Sequence, residues 1–507
     1  MAFEPSFEKV VASVRKRLGV IQSQVECKLP ASDDVKKILC NNAKANIVEV
    51  DVVGKEVVYS GFVNFQVLYL NHNQEYMSVD YCAEFKDKMQ LERDGQHVVP
   101  IANISVIDVS CVVNNDIKVI ALIETTMDVI ENNTTTVLTN LNGDGYYTKK
   151  DELKYSNYVA LVSNKFETNN DIEIKDGVSK VLSVCPNVFI EKVDIMDRYL
   201  TLNGGVYFDV CYLTDNNMVR TTQANFEFVQ EIAHDELDEK SLLQNDLQVL
   251  YNDIKVTTNI DTDSAIVNIE LPLLYKGYIY KNNTMEVISD LYGVHHFTNV
   301  TVESLRYMDK FDEILSNEKL SGSVTIQEND AFIDEVLGNC CSSAMVVNSA
   351  VCDGKLAIEG VATIPVLYHN KETNMAYSVE VELPFTTSIN VDAKDGINTQ
   401  VKLALTNIQV RARRGKEIEV ISNLEIYSDI YTLDENAVIA SVVEDEEIPE
   451  NECAMSFYFV KDGDSVWEIA KELRVSIDML LAQNPSLNDN IKAGTRVVVY
   501  RQRQVEF

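Results

Sequence analysis

GFVNFQVLYL, residues 61–70, is the stretch on which the reading of this chain turns. Counting two, four, six and eight residues past Gly61 gives Val63, Phe65, Val67 and Tyr69. A strict period of two places all four on one face of an extended strand, because successive side chains point to opposite sides. The pattern returns twice without gaps, as GGVYFDVCYL from Gly204 and GVATIPVLYH from Gly360. Their faces read Val206, Phe208, Val210, Tyr212 and Ala362, Ile364, Val366, Tyr368. Core packing accounts for these sets. The three glycines mark a close backbone approach or a bulge where each strand begins.

More of the unit repeats on both sides. The polar turns NHNQE, TDNN and NKETN lead into second runs ending at Phe85, Phe228 and Phe385, which lie 24, 24 and 25 residues past their glycines. Strand, polar turn and strand predict a β-hairpin. Upstream, VKKIL (35–39), VSKVL (178–182) and IDEVL (333–337) carry apolar residues at i, i+3 and i+4, which predicts one short helical turn in each copy. Downstream, NISV from Asn103, DLQV from Asp246 and NIQV from Asn407 begin further strands that end in VIALIET, AIVNIEL and VISNLEI. Three copies spaced by about 150 residues are an internal repeat. The predicted fold class is mainly β (α+β), with tandem β-rich repeats and short helices at 25–150, 151–320 and 321–435.

At the N-terminus, MAFEPSFEKVVASVRKRLGV sets Phe7, Val10, Val11, Val14 and Leu18 at helical spacing around Arg15, Lys16 and Arg17. This predicts an amphipathic helix over 1–24. It has no unbroken apolar segment of the kind a signal peptide needs. No stretch is long and apolar enough to span a bilayer as a helix, so the expected place of action is the cytoplasm. Ten cysteines form no C-x-x-C pair and several sit in apolar runs, a pattern that suits a reducing compartment better than a disulfide framework. Carboxylates outnumber Lys and Arg 79 to 44, for a net charge of −35, which argues against nucleic acid as a partner. The run VVEDEEIPENECAMS is dense in like charge and predicts an extended acidic linker over 436–454.

The last segment, 455–501, is a separate βααβ module. SFYFVK (456–461) alternates as a strand, and Asp462-Gly463-Asp464 is turn chemistry. Ser465 with Glu468 three residues on makes a capping box. Val466, Ile469, Ala470 and Leu473 then form a buried helical stripe. A second helix starts at Ser476, buries Ile477, Leu480 and Leu481, and stops at Asn484-Pro485. VVVY (497–500) closes the sheet. Trp467, the single tryptophan, falls between the buried positions of its helix, so it is either partly covered by the sheet or an exposed anchor for a partner.

Signs of catalysis are missing. Six histidines show no metal-binding spacing, and neither a phosphate-cradling glycine loop nor a serine elbow is present. Asp261-Thr262-Asp263 opens like a calcium loop but lacks its glycine and reads as a turn. No cofactor and no metal is expected. Arg411, Arg413, Arg414 and Lys416 form one dense basic patch on a turn between two strands of the third repeat, either a solvated turn or a contact for an acidic partner.

On the repeated strand and its spaced neighbours, residues 25–435 resemble the SPOCS-domain family of sporulation and coat-associated repeats in endospore-forming Clostridia. The terminal module resembles the LysM family at Tyr458, Val460, Gly463-Asp464-Ser465, Ile469-Ala470, Leu480, Asn484, Leu487, Ile491, Gly494 and Val497. Together they are similar to the SipL-like spore coat morphogenetic proteins. The LysM resemblance implies a groove lined by Gly463, Asp464, Ser465, Val466 and Trp467 on one side, and by Asn484, Pro485, Ser486 and Leu487 on the other. Capping and helix termination also require several of these residues, whatever binds. The combined resemblance implies a non-enzymatic adaptor in the mother-cell cytoplasm at the forespore surface. Its implied partners are a coat morphogenetic ATPase (SpoIVA-like) and other coat proteins. Two alternatives stay open: a peptidoglycan-binding protein of cortex or wall, and a self-assembling exosporium component.

Overall fold

Each of the three repeated decapeptides lies on the central strand of an antiparallel sheet in the computed structural model, which describes residues 3–29, 35–92, 95, 98–113, 116–175, 177–260, 264–326, 332–370, 372–373, 375–392, 398–449, 455–487 and 491–501. In the first unit β1 (Glu4–Leu29) is followed by β2 (Val35–Val53), β3 (Glu56–Asn71), β4 (Tyr76–Gln90), β5 (Val98–Val113) and β6 (Ile117–Asn142). The second runs through β7 (Tyr146–Ile174), β8 (Val178–Met196), β9 (Tyr199–Thr214), β10 (Val219–Ala233), β11 (Ser241–Val249), β12 (Lys255–Ile260) and β13 (Ala265–Gly293). The third holds β14 (His296–Thr325), β15 (Ile333–Asn339), β16 (Ser343–Cys352), β17 (Lys355–Asn370), β18 (Met375–Asn390), β19 (Asn398–Arg413) and β20 (Glu417–Glu447). Every unit packs the sheet around β3, β9 or β17 against a second layer built on a long pair, β1 with β6, β7 with β13, or β14 with β20. The apolar faces expected from the sequence are the buried interior of these sandwiches, at 0–4% exposure.

The glycines behave alike in all three copies. Gly61, Gly204 and Gly360 stand directly opposite Phe85, Phe228 and Phe385 across the hairpin. A side chain on any of them would strike that ring and the backbone carbonyl of Asn46, Phe189 or Met345. A bulge sits beside each, at Ile47/Glu49, Ile190/Lys192 and Val346/Asn348.

Three expectations are corrected. First, VKKIL, VSKVL and IDEVL are strand, not helical turn: each carries two bulges, at Val35/Lys37 and Ile38/Cys40, Val178/Lys180 and Val181/Ser183, and Ile333/Glu335 and Val336/Gly338. An extra residue at each bulge converts a period of two into an apparent period of three. Second, the N-terminal segment is not a helix but β1, paired along its length with β6. Bulges at Ser6/Phe7 and Arg17/Gly19 disturb its alternation, and its middle is buried on both faces, Val10 and Ala12 on one and Ser13 and Arg15 on the other, all at 0% exposure. Third, the acidic stretch is not a free linker over 436–447. It is the end of β20, held against β14 with Val442 opposite Val300 and Glu444 opposite Thr298; residues 450–454 lie outside the described residues. The units accordingly open on the long strands at 4, 146 and 296. Among the described residues they contain no α-helix, only one 3-10 turn, Tyr251–Asp253.

The units close into a ring. The edge strand of each meets the first strand of the next sheet: Ser78 Oγ donates to the Leu182 carbonyl, and Thr221 Oγ1 donates to the Leu337 carbonyl at 2.8 Å. The third junction returns from unit three to unit one, where the Ala376 N–H donates to Tyr76 Oη at 3.2 Å and Lys37 Nζ lies 3.5 Å from the Tyr377 ring centroid. Leu39 and Leu68, Leu182 and Val219, and Leu337 and Leu367 meet there in one buried cluster. Cys40, Cys211 and Cys340, one from each unit, join it; hydrogen bonding from Cys211 and burial push the Cys340 thiol well above its ordinary pKa.

Beside them the structure joins Cys185 of unit two to Cys341 of unit three in a disulfide, with Cα atoms 5.2 Å apart. This departs from the expectation of thiols only. A separation of 156 residues hides such a pair from any local spacing rule.

A second shared centre lies in the long-strand layer. Arg15, 0% exposed, donates from Nε and Nη2 to Asp128 Oδ2 at 3.1 and 2.8 Å, from Nη1 to Gln244 Oε1 at 3.2 Å, and to Asp429. Its Cζ stands 4.6 Å from the centroid of Tyr431. Its partners come from all three units.

Candidate binding site of the terminal module

The module follows the predicted βααβ order: β21 (Met455–Phe459), α1 (Val466–Leu473), α2 (Ile477–Gln483) and β22 (Arg496–Tyr500), with a 3-10 turn at Pro485–Leu487. Its first loop is organised by Asp464, whose Oδ2 accepts from the Lys461 N–H at 2.7 Å and from Tyr458 Oη at 2.8 Å. Those two bonds hold the Asp464 carboxyl below its ordinary pKa. Gly463 takes φ +88°, a left-handed conformation in which a side chain would be strained. Ser465 then caps α1: its Oγ accepts from the Glu468 N–H at 3.3 Å, while its own N–H donates to Glu468 Oε2 at 2.6 Å. The expected capping box is present in both halves.

The second loop is equally determined by its own fold. Asn484 Nδ2 donates to the Leu480 and Val498 carbonyls at 3.0 and 2.8 Å, and its Oδ1 accepts from the Val498 N–H at 2.9 Å. Asn484 therefore stitches the end of α2 to β22. Leu487 is buried in the module core with Val460, Ile469 and Val497. Of the nine residues in the expected groove, Gly463, Ser465, Pro485 and Ser486 are exposed. Asp464, Val466, Trp467 and Asn484 are half-buried, and Leu487 is buried.

Trp467 faces elsewhere. Its Nε1 donates to Asp290 Oδ2 at 2.7 Å, and its ring meets Tyr292 edge-on at 5.1 Å. Lys471 Nζ reaches Asp290 Oδ1 at 2.6 Å, Tyr292 Oη donates to the Val475 carbonyl at 2.8 Å, and Arg474 lies 4.3 Å over Phe297. The module thus docks through α1 onto the end of β13 and the start of β14. A bulge at Ile288/Asp290 marks the place where β13 presents Asp290. Burial raises the Asp290 pKa, but hydrogen bonds from Lys471 and Trp467 outweigh it and hold the carboxylate below its ordinary value. Sequence reasoning missed Asp290, Tyr292 and Phe297. The one available signal was a tryptophan lying off the buried stripe of its helix.

The basic patch sits where expected, on the β19–β20 turn. Arg413 pairs with Glu419 at 2.9 Å and Lys416 lies 4.8 Å over Phe332. Asp261-Thr262-Asp263 lies outside the described residues. Among the described residues no group of His, Cys, Asp or Glu is arranged to hold a metal ion, and no helix is long and apolar enough to cross a membrane.

Comparison with known proteins bears on the same two parts. A family model described as SipL, SPOCS domain, matches residues 34–114 and again 333–413. A LysM domain model matches residues 458–499. The chain is SipL-like in its domain content. The matched SPOCS segments run from β2 to β5 and from β15 to β19. The middle unit repeats the same strands, glycine and bulges at 178–249, so the ring holds a third copy by structure. The domain content is that of a spore-associated protein with a glycan-binding type of module, and both matched domains are binding domains. No curated protein and no solved structure matches the chain.

Proposed function

We propose that this protein is a non-enzymatic adaptor of spore coat assembly, in which the three-unit ring is a rigid body that presents the LysM module to a partner. The observation that carries this reading is the mode of docking. The α1 face is taken up by Asp290, Tyr292 and Phe297, while both loops of the module stay outward. A module fixed in this way holds its free surfaces in one orientation, which lowers the ordering cost of binding. The family resemblance supplies the partner: a coat morphogenetic ATPase (SpoIVA-like), engaged from the mother-cell side of the forespore together with other coat proteins. Several sites on one body meeting a polymer gain avidity that one site lacks. Capture of the purified ATPase by the full chain, compared with a chain lacking residues 455–507, tests it. Undiminished capture by the shortened chain refutes the role given to the module.

A second reading has its own observation. Gly463, Ser465, Pro485 and Ser486 are exposed on the two loops that line the glycan groove in LysM modules. Peptidoglycan of cortex or wall is then the ligand. Co-sedimentation of the full chain with peptidoglycan, abolished by chitin oligomers, supports this reading over the first.

A further inference from the structure

The two-stranded sheet of the module buries one face against its helices and leaves the other in water. Met455, Phe457 and Phe459 on β21 and Tyr500 on β22 are 40, 53, 63 and 54% exposed, with the ring body in place. The strand register puts Met455 opposite Tyr500, Phe457 opposite Val498 and Phe459 opposite Arg496. Alternation requires the inward residues, Val497 and Val499, to be apolar, and both are at 0% exposure. Nothing in the folding of the module requires the outward set to be apolar as well. This face is separate from the docked α1 surface and from the two loops.

We propose that this face is a docking surface for one amphipathic helix of a protein partner, with carboxylates flanking the helix's apolar stripe. Four of its side chains, Met455, Phe457, Phe459 and Val498, offer no hydrogen-bond donor, so they meet a partner through apolar contact alone. The guanidinium of Arg496 lies 5.6 Å from the Phe457 ring, and no ion pair is formed by it among the described residues. That leaves one cation on the apolar face for a partner carboxylate to meet. Size agrees. Five residues of strand extend about 17 Å, and two paired strands with their side chains match the roughly 10 Å breadth of a helix. A second copy fits less well. Six side chains per face fall well short of the roughly 800 Å² each partner contributes to a standard interface.

The test uses the full chain and two fluorescent 18-residue helical peptides, each with a leucine stripe, one flanked by glutamates and its twin by lysines. Fluorescence anisotropy is expected to show the glutamate peptide binding more tightly than its twin. Phe457→Ser with Phe459→Ser should weaken it at least tenfold, and Arg496→Glu should invert the preference between the peptides. Both phenylalanines are exposed, so melting of the variants should be unchanged. A benzophenone side chain at position 459 provides a second readout, by cross-linking the glutamate peptide. Equal binding by wild type and the double variant, or no binding and no cross-link, overturns the proposal. So does displacement of the peptide by chitin oligomers, or a wild-type dimer in sedimentation that the double variant abolishes.

Discussion

Replacing Arg15 by methionine is the sharpest test of whether three units form one folded body. The guanidinium is fully buried and lies between Asp128 of its own unit and Asp429 of the third, with Gln244 of the second completing the set. Both carboxylates are themselves at 0% exposure. Methionine keeps the volume and removes the charge, leaving the buried Asp429 carboxylate without a cation and Asp128 with only the solvent-facing Arg17 at its other oxygen. Breaking a buried pair from one side costs about 3–5 kcal/mol, because the uncompensated charge remains. The resulting shift in Tm depends on how much of the chain melts together. Unfolding entropy is about 2.1 cal/mol/K per residue, so a ring of roughly 440 residues changes by about 0.9 kcal/mol per degree. The loss then appears as about 3–5 °C in calorimetry. If the first unit melts alone, at about 150 residues, the same loss lowers its own transition by about 10–15 °C.

The compensating variant makes the reasoning refutable. Arg15→Met with Asp128→Asn and Asp429→Asn removes the three buried charges and leaves the exposed Arg17 to water, and replacing a buried ion cluster by neutral groups is often nearly neutral. The triple variant should therefore recover most of the lost Tm. A single variant that melts within about 1 °C of wild type, or a triple variant no more stable than the single, would show that the cluster is solvated in solution and does not join the units.

Three further outcomes are expected. Cys185→Ser opens a covalent loop of 156 residues, which on the chain-entropy account removes about 5 kcal/mol; dithiothreitol should bring wild type down to the variant, and non-reducing peptide mapping should recover the 185–341 link. Burial pushes the Glu313 carboxyl up to about 8 and Asp209 up to about 7. The folded state then holds protons that the unfolded chain releases near pH 4, so stability should fall as pH rises from about 5 to 8. Glu313→Gln and Asp209→Asn should flatten that fall, and a pH-independent Tm in wild type would contradict it. Trp467→Ala removes the edge-on contact with Tyr292 and the bond to Asp290, worth about 2 kcal/mol together; limited proteolysis should release the terminal module about 30-fold faster, with the ring intact.

What could be read from the sequence was whatever one element records by itself. The central strands, the glycines under Phe85, Phe228 and Phe385, and the capping of α1 each depend on a single strand, hairpin or helix end. Their signatures therefore survive in the linear text. Bulges are the opposite case. The pair at Val35/Lys37 and Ile38/Cys40 produced a helical spacing in residues that are entirely extended. The same confusion hid β1, where bulges at Ser6/Phe7 and Arg17/Gly19 break the alternation and the polar face, Ser13 and Arg15, is itself buried. The acidic end of β20 was misread for another reason. Glu444, Asp445, Glu446 and Glu447 are all exposed, so nothing in their side chains reports that their backbone pairs with β14. At the site, Asp464, Ser465 and Asn484 were legible as fold-determining residues. Asp290 was not, since a lone aspartate 177 residues from Trp467 carries no local mark of its role.

The departures from symmetry at the ring's shared centres explain why the three units lie on one chain. Opposite Ile130, Tyr280 and Tyr431, which meet in one apolar cluster, the first strands place Arg15, Tyr158 and Phe311. Three identical copies of the first unit would bury three guanidinium groups with three Asp128 carboxylates at that centre, twice the charge that Arg15, Asp128 and Asp429 place there now and one carboxylate for each cation instead of two. The same holds five residues past each glycine, where Gln66, Asp209 and Pro365 stand: three copies of the buried Asp209 would repel, while one lies near Lys44 and the amide of Asn339. Fusion lets each interface keep a single polar group with complementary neighbours. It also makes the three units unequal, because only the second ends in Asp290 and Tyr292 beside Phe297. One module is therefore held at one end, in one orientation, and a ring of identical subunits could not specify that arrangement without offering it three times.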